Sequence, residues 1–123
     1  MKFGQVHHIE YYVIDLQKTK DFWGWFLDKL DYSVSQEFGD GISYEHPLGT
    51  YLVFVQVKDE HLPIKNNRQG SGLNHLAFMG ADQDFLTKLE SDLKGKSVKI
   101  LKSYEGYLCF EDSNQFAVEV YCK

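Results

Sequence analysis

The chain has 123 residues, which is enough for one compact domain with its own core and too few for two ordinary domains. Hydrophobic residues make up 43% and aromatic residues 15% of the chain, a composition that indicates a globular protein and argues against disorder. The formal net charge is -5 and the basic residues are scattered. A dedicated nucleic-acid binder would show a basic face, so we expect a small-molecule partner.

The sequence also bears on the compartment. No apolar run reaches the length of a membrane span, and the beginning of the chain lacks the apolar core of a signal peptide. Cys109 and Cys122 are the only two cysteines, and we expect both to be reduced. The sequence therefore predicts a cytoplasmic protein that has no membrane partner.

The first half of the chain predicts a β-α-β-β-β unit over residues 5–57. Residues 5–14 alternate between apolar and polar, and Asp15 is a good N-cap for a helix whose aromatic residues form one apolar stripe. Short extended segments separated by glycine-containing turns follow. They span about 31–38, 40–46 and 50–57.

After a polar connection at 58–71, the same pattern starts again. A strand at 73–79 precedes the N-cap Asp82 and a second amphipathic helix, for which Gly95 is a natural stop. Three more strands complete a second unit over 73–121, at about 97–103, 106–111 and 115–121. Neither unit alone could bury much surface, so residues 1–123 are predicted to form a single domain.

The two units repeat each other at polar positions. His8 falls on His75 and Asp15 on Asp82, while Val55-Gln56-Val57 falls on Val118-Glu119-Val120. Strand alternation predicts that the polar members of these matches lie on the face of each sheet that is turned away from its helix. In the strand at 50–57, this assignment turns Val53, Val55 and Val57 towards the helix. A duplicated module with such matches indicates one shared site, for which a metal is the obvious candidate.

At this point the sequence resembles a known family. The segments His7-His8-Ile9, Val13-Ile14-Asp15-Leu16, Asn74-His75-Leu76-Ala77-Phe78 and Phe110-Glu111-Asp112 before Val118-Glu119-Val120 resemble the glyoxalase/bleomycin-resistance/extradiol-dioxygenase family, the vicinal oxygen chelate superfamily. The resemblance covers essentially the whole chain. It implies an α+β fold in which two paired βαβββ modules form a curved mixed sheet around a central cup that holds a divalent metal.

Carried over residue by residue, the resemblance places the metal ligands at His8, Gln56, His75 and Glu119. His8 is preferred to His7 because it precedes Asp15 by the same interval as His75 precedes Asp82. Two imidazoles and a carboxylate suit a first-row divalent ion such as Zn, Ni, Mn, Fe or Co and leave positions open for substrate. Phe54, two residues before Gln56, remains open as the occupant of the fourth position.

Further residues are expected to line the cup. Glu119 and Glu10 are the candidate acid/base residues, while Tyr12, Phe54 and Tyr107 are candidate substrate contacts. Glu10 and Tyr12 could equally close the edge of the sheet. Cys109 shares a face with Tyr107, where a small buried filler is a simpler interpretation than a thiol beside the metal.

The resemblance implies a metal-dependent lyase, isomerase or transferase acting on a small oxygenated or thiol-conjugated substrate, in a homodimer. The amide of Gln56 weakens a lactoylglutathione lyase assignment, because those relatives generally have a carboxylate at this position. Methylmalonyl-CoA epimerases and fosfomycin-resistance thiol transferases have similar ligand sets, and neither is a close match. The alternative is a non-catalytic drug-binding protein of the bleomycin-resistance type. Whether the modules pair within one chain or across a dimer is left open.

Overall fold

The structure, a computed structural model, describes residues 3–62 and 66–122. These residues fall into two compact units, one for each predicted module. Part of the predicted polar connection, residues 63–65, lies outside the described residues. Among the residues described, no helix is long and apolar enough to cross a membrane. That residues 1–123 form a single domain stays a prediction.

The first unit is a mixed four-stranded sheet with one helix. Strand β1 (His8–Val13) leads into helix α1 (Leu16–Asp28), and three further strands follow. The strand order is β1-β4-β3-β2, in which β1 and β4 are parallel and the remaining pairs are antiparallel. The unit ends in a short 3-10 turn. The remaining elements are β2 (Ser33–Phe38), β3 (Gly41–Glu45), β4 (Tyr51–Gln56) and the turn Asp59–His61.

The second unit repeats this arrangement. Strand β5 (His75–Met79) leads into helix α2 (Gln83–Gly95), and the strand order is β5-β8-β7-β6 with β5 parallel to β8. The predicted α+β fold of two βαβββ modules is therefore confirmed, with each module forming its own four-stranded sheet. The remaining strands are β6 (Ile100–Tyr104), β7 (Tyr107–Glu111) and β8 (Ala117–Tyr121).

Local details are shared between the modules. The carboxylate of Asp15 accepts a hydrogen bond from the backbone N–H of Lys18 at 3.0 Å, and that of Asp82 accepts one from the N–H of Phe85 at 2.9 Å. Each cap satisfies one of the N–H groups that the first helical turn leaves without a partner. The first antiparallel ladder of each module also shifts register at the same place. The predicted N-caps, Asp15 and Asp82, are therefore confirmed.

The core of the first unit corrects the face assignment of β4. Phe54 is fully buried, and its ring lies 5.1 Å from that of Trp23 in α1. Tyr11 of β1 stacks on Phe54 from the neighbouring strand. The prediction that Phe54 faces away from the helix and contacts substrate is therefore wrong. By alternation, Leu52 and Gln56 share the helix-facing side and Val53 lies on the other.

The core of the second unit follows the predicted alternation. Val118 and Val120 of β8 are fully buried, whereas Glu119 between them is only half-buried. Leu89 and Leu93 supply the buried stripe of α2. The side of this sheet that carries Glu119 also carries Tyr107, because the two side chains are hydrogen-bonded to each other. The candidate site of this unit lies on that side.

Candidate metal site and its surroundings

His75 and Glu119 form a close pair on neighbouring strands of the second unit. His75 is paired in register with Ala117, and Glu119 with Ala77, so the two side chains lie diagonally across the β5–β8 ladder. His75 Nε2 lies 3.2 Å from Glu119 Oε1. The His75 side chain is 41% exposed and that of Glu119 14% exposed. The imidazole is therefore open to solvent, while the carboxylate is largely shielded.

Asn74 fixes the proton position on the His75 ring. The Nδ2 group of Asn74 donates to the carbonyl oxygen of Arg68 at 2.8 Å, which turns Oδ1 of the same amide towards His75. His75 Nδ1 lies 2.8 Å from that oxygen. An amide oxygen can only accept a hydrogen bond, so Nδ1 of His75 carries the proton. Nε2, which faces Glu119, is then the ring atom with a lone pair in the neutral form.

This arrangement fits a shared cation. A neutral His75 would direct the Nε2 lone pair at a carboxylate oxygen, which is unfavourable unless a proton or a metal ion lies between them. Nitrogen and oxygen ligands of a first-row ion each lie about 2.0–2.2 Å from it, so two adjacent ligands are roughly 3.0–3.5 Å apart. The 3.2 Å separation falls in this range. An ion pair with protonated His75 would satisfy the same contact without a metal.

Two tyrosines hold the other side of the pair. The hydroxyl of Tyr107 donates to Glu119 Oε2 at 2.7 Å, and that of Tyr121 donates to Oε1 at 3.2 Å. Desolvation raises the pKa of Tyr107 well above its ordinary value, and the bond to Glu119 raises it further. The same two causes raise the pKa of Tyr121. Both hydroxyls therefore remain donors near neutral pH, and Glu119 remains an oriented acceptor.

Cys109 lies on the same face but is not poised to react. It is paired in register with Glu119 and is 6% exposed. Burial raises the pKa of its thiol, an effect that the nearby Tyr107 hydroxyl only partly opposes. Because the thiolate is the nucleophilic form, a buried neutral thiol acts here as a small packing group.

His8 occupies the matching position in the first unit. Its Nδ1 lies 2.8 Å from Nδ1 of His7, and its ring stacks on Tyr51 at 4.8 Å with the planes only 3° apart. In sequence, His7 precedes His8 as Asn74 precedes His75, so a preceding side chain contacts Nδ1 in both modules. Glu10 and Tyr12 share the strand face of His8 and are exposed.

Gln56 is placed differently from its prediction. Its Oε1 accepts from the N–H of Leu16 at 2.8 Å, and its Nε2 donates to the carbonyl oxygens of Ile14 and Val57 at 3.0 and 3.2 Å. The amide thus joins the end of β4 to the start of α1, on the helix side of the sheet. It pairs in register with Val13, at the opposite end of β1 from His8.

The register also identifies which residue of the first unit corresponds to Glu119. His8 pairs with Tyr51 as His75 pairs with Ala117, and two residues further along each last strand lie Val53 and Glu119. The residue of the first unit that corresponds to Glu119 is therefore Val53. The sequence match of Gln56 with Glu119 was wrong by three residues.

The structure thus brings together His75, Glu119 and Tyr107 in the second unit. In the first unit it places Gln56 and Phe54 on the helix side of the sheet, away from the face that carries His8. Across residues 3–62 and 66–122, no group of three His, Cys, Asp or Glu side chains is gathered at metal-binding distance. Sequence reasoning missed Asn74 and Tyr121, which hold the pair from either side. Asn74 could have been found from its place beside His75, and Tyr121 from its place two residues after Glu119.

Comparison with known proteins gives relatives across nearly the whole chain. No family model matches the chain. An uncharacterised protein of Bacillus subtilis, YqjT, is 40% identical over 96 residues, which cover 78% of this chain and 74% of that protein. The solved structure of a candidate glyoxalase from Bacillus halodurans is 34% identical, with a TM-score of 0.92 and coverage of 98% of this chain and 97% of the other.

More distant structures share the fold alone. A glyoxalase/dioxygenase from Nostoc punctiforme has a TM-score of 0.77 at 21% identity and covers 99% of this chain and 92% of its own. A fosfomycin resistance protein from Listeria monocytogenes, solved with Mn(II) and 1S,2S-dihydroxypropylphosphonic acid, has a TM-score of 0.69 at 19% identity. That structure covers 99% of this chain and 93% of its own.

Proposed function

Because the chain belongs to the vicinal oxygen chelate superfamily, we propose that it is a divalent-metal-dependent enzyme of the lyase, isomerase or transferase type. Its substrate would be a small oxygenated or thiol-conjugated molecule. The ion would be held by His75 and Glu119, with His8 as the third ligand. The contribution of His8 rests on the repeat and on the chemistry of imidazole. A homodimer is also part of the proposal.

The observation that carries this proposal is the orientation of the His75–Glu119 pair. Asn74 directs the Nε2 lone pair of His75 at the carboxylate, and Tyr107 and Tyr121 bind the carboxylate from its other side. Hydrogen bonds from neighbouring groups to metal ligands set the tautomer and the ring orientation in metal sites. A purely structural ion pair would not need this set of oriented partners.

Each residue then has a role that follows from its contacts. Glu119 would balance part of the positive charge of the ion, and Tyr107 and Tyr121 keep its oxygens in place. The ion would polarise a substrate oxygen and stabilise negative charge that develops on it. Glu10, which is exposed on the strand face of His8, is our candidate for the second acid/base group. Tyr12 is the candidate hydrogen-bonding contact to substrate on that strand.

The test is the metal content of protein purified without chelator. We expect near-stoichiometric metal in the wild type and its loss in His75→Ala, in His8→Ala and in Glu119→Gln. His61→Ala is the matched control, because His61 lies in the exposed turn after β4 and should keep wild-type metal. Asn74→Ala should weaken metal binding by about 10–100-fold, whereas Asn74→Asp retains the acceptor and should restore it.

A second candidate function is supported by the aromatic residues around the pair. The rings of Tyr104 and Tyr107 stack at 4.7 Å, and that of Tyr121 lies 4.9 Å from Tyr107. Stacked rings suit a non-catalytic drug-binding protein of the bleomycin-resistance type. A wild type that purifies without metal and takes up none on titration would contradict the enzyme and leave this binding function.

A further inference from the structure

A polar pocket lies within the second unit, next to the strand that precedes α2. Its volume is ≈ 450 Å³, large enough for a small organic group. Its walls come from the segment before β5 and from the β7–β8 turn. The lining residues are Asn66, Asn67, Arg68, Gln69, Glu111 and Gln115, and we call this cavity the Arg68 pocket.

Arg68 is the only arginine in the chain, and its side chain is partly committed. Nη1 donates to Glu111 Oε2 at 2.8 Å and to the carbonyl oxygen of Gln115 at 2.7 Å. Among the described residues these bonds use Nη1 alone, so Nε and Nη2 of the guanidinium are available. The rigid fork of arginine is suited to binding a planar carboxylate with two parallel hydrogen bonds.

Asn66 adds a donor to the same pocket. Its Nδ2 atom is buried and has no hydrogen-bond partner among the described residues. A buried amide donor without a partner is costly, and a bound acceptor would remove that cost. The Arg68 pocket therefore contains more donors than the protein itself satisfies, which favours a ligand rich in oxygen acceptors.

The Arg68 pocket is connected to the His75–Glu119 pair. Glu111 and His75 are both paired in register with Ala117, one from each side, so they share a row on one face of the sheet. Their Cα atoms are thus about 10 Å apart, two strand spacings. Asn74 also bridges the two places, since its amide contacts both the Arg68 carbonyl and the His75 ring.

The charge of the Arg68 pocket limits the ligand. Glu111 already balances the positive charge of Arg68, and both side chains are more than two-thirds buried. A dianion such as phosphate would bring two uncompensated charges close to the Glu111 carboxylate, whereas a single carboxylate brings one and can use the free guanidinium edge and the Asn66 amide. We propose that the Arg68 pocket binds the carboxylate of a small monoanionic molecule. That this molecule is the substrate rests on the proposed function.

The test uses chelator-treated protein, so that metal does not contribute. Propionate is titrated against ¹⁵N-labelled protein and the amide shifts of Gln69 and Gln115 are followed, with propionamide and inorganic phosphate as comparison probes. We expect saturable propionate binding that is at least about tenfold weaker in Asn66→Asp and in Arg68→Lys. Lys88→Gln, which removes one positive charge from the exposed face of α2, is the control and should bind as the wild type does.

Thermal midpoints of the variants establish that each one is folded, and Asn66→Asp retains the Arg68–Glu111 contact should Arg68→Lys unfold. No saturable shift, unchanged binding in Asn66→Asp, or tighter binding of phosphate or propionamide than of propionate would overturn the proposal. His75→Ala should lose metal and still bind propionate. A wild type that purifies without metal, takes up none on titration and still binds propionate would therefore end the metal-enzyme proposal and leave the Arg68 pocket standing.

Discussion

The two modules share a backbone and differ in where they place a carboxylate. In the second module Glu119 lies on the last strand, opposite Ala77 on the first. In the first module Glu10 lies on the first strand, opposite Val53 on the last. The two carboxylates therefore occupy opposite members of the same residue pair. The histidines His8 and His75, by contrast, are kept at matching positions.

This comparison distinguishes features that both modules share, which the βαβββ fold requires, from the carboxylate, which the modules do not share at one position. The N-caps Asp15 and Asp82 and the irregular first ladders recur in both modules because every βαβββ unit must begin its helix and curve its sheet. A carboxylate on the last strand beside the histidine is present only in the second module, as Glu119. In the metal site proposed above, one such carboxylate would suffice.

The largest expected effect concerns the core of the first module. Phe54→Ala removes a fully buried ring that contacts Trp23 and Tyr11, and we expect a loss of about 3–5 kcal/mol in the free energy of unfolding. Chemical denaturation measures it, with the exposed Tyr12→Ala as control, expected within about 0.5 kcal/mol of wild type. A nearly neutral Phe54→Ala would restore Phe54 as a cup residue.

A smaller effect is expected at the Gln56 amide, which joins the end of β4 to the start of α1. Gln56→Met keeps the length of the side chain and removes the hydrogen bonds that the amide makes with the Leu16 N–H and the Ile14 carbonyl. We expect a loss of about 1–3 kcal/mol in unfolding free energy with no change in metal content. Gln17→Met, at an exposed position of α1, is the matched control. Loss of metal in Gln56→Met alone would return Gln56 to the ligand set.

The smallest effect concerns the pH dependence that Tyr107 gives to the second module. The pKa of Tyr107 is raised by desolvation and by its bond to Glu119, so above about pH 10, the ordinary tyrosine pKa, the unfolded chain loses this proton before the folded chain does. The contribution of the Tyr107 hydroxyl to the free energy of unfolding is therefore fully present below about pH 10 and declines as the pH rises above it.

Tyr107→Phe should lower stability at pH 7 by about 1 kcal/mol and reduce the alkaline decline, as read from unfolding curves between pH 8 and about 11. Tyr12→Phe changes an exposed tyrosine of the first module and should leave the decline as it is. Equal slopes in wild type and Tyr107→Phe would contradict the role given to this hydroxyl.

Much of the fold could be read from the sequence because its signals were local. The repeat located both helices, both N-caps and the pair of histidines, and the alternation of β8 placed Glu119 correctly. Strand β4 gave no such signal. Its four central residues, 52–55, are all buried, so apolar side chains occupy both faces and the pattern cannot say which set faces the helix. Because of that ambiguity, the pattern assigned Gln56 and Phe54 to the wrong face of the sheet.

The contacts around the site depend on residues that are distant in sequence. Arg68 contacts Glu111 and Gln115, which lie 43 and 47 residues further along the chain, and no spacing in the sequence relates them. Asn74 lies next to one predicted ligand and Tyr121 lies two residues after another. Their roles, however, depend on which atoms their side chains contact. The sequence pattern identified candidate site residues, whereas the hydrogen-bond partners of each residue could be identified only from the folded structure.

The parallel pairing of first and last strands has a consequence for the order of folding. Within each module the three antiparallel strands can form from near neighbours, whereas β1 and β5 can pair only after a helix and two strands have been placed. Closing so long a loop is slow relative to forming local turns. We therefore expect the histidine strand to be the last to join its sheet. The contact between His75 and Glu119 would then be a late kinetic event that reports when the second module is complete.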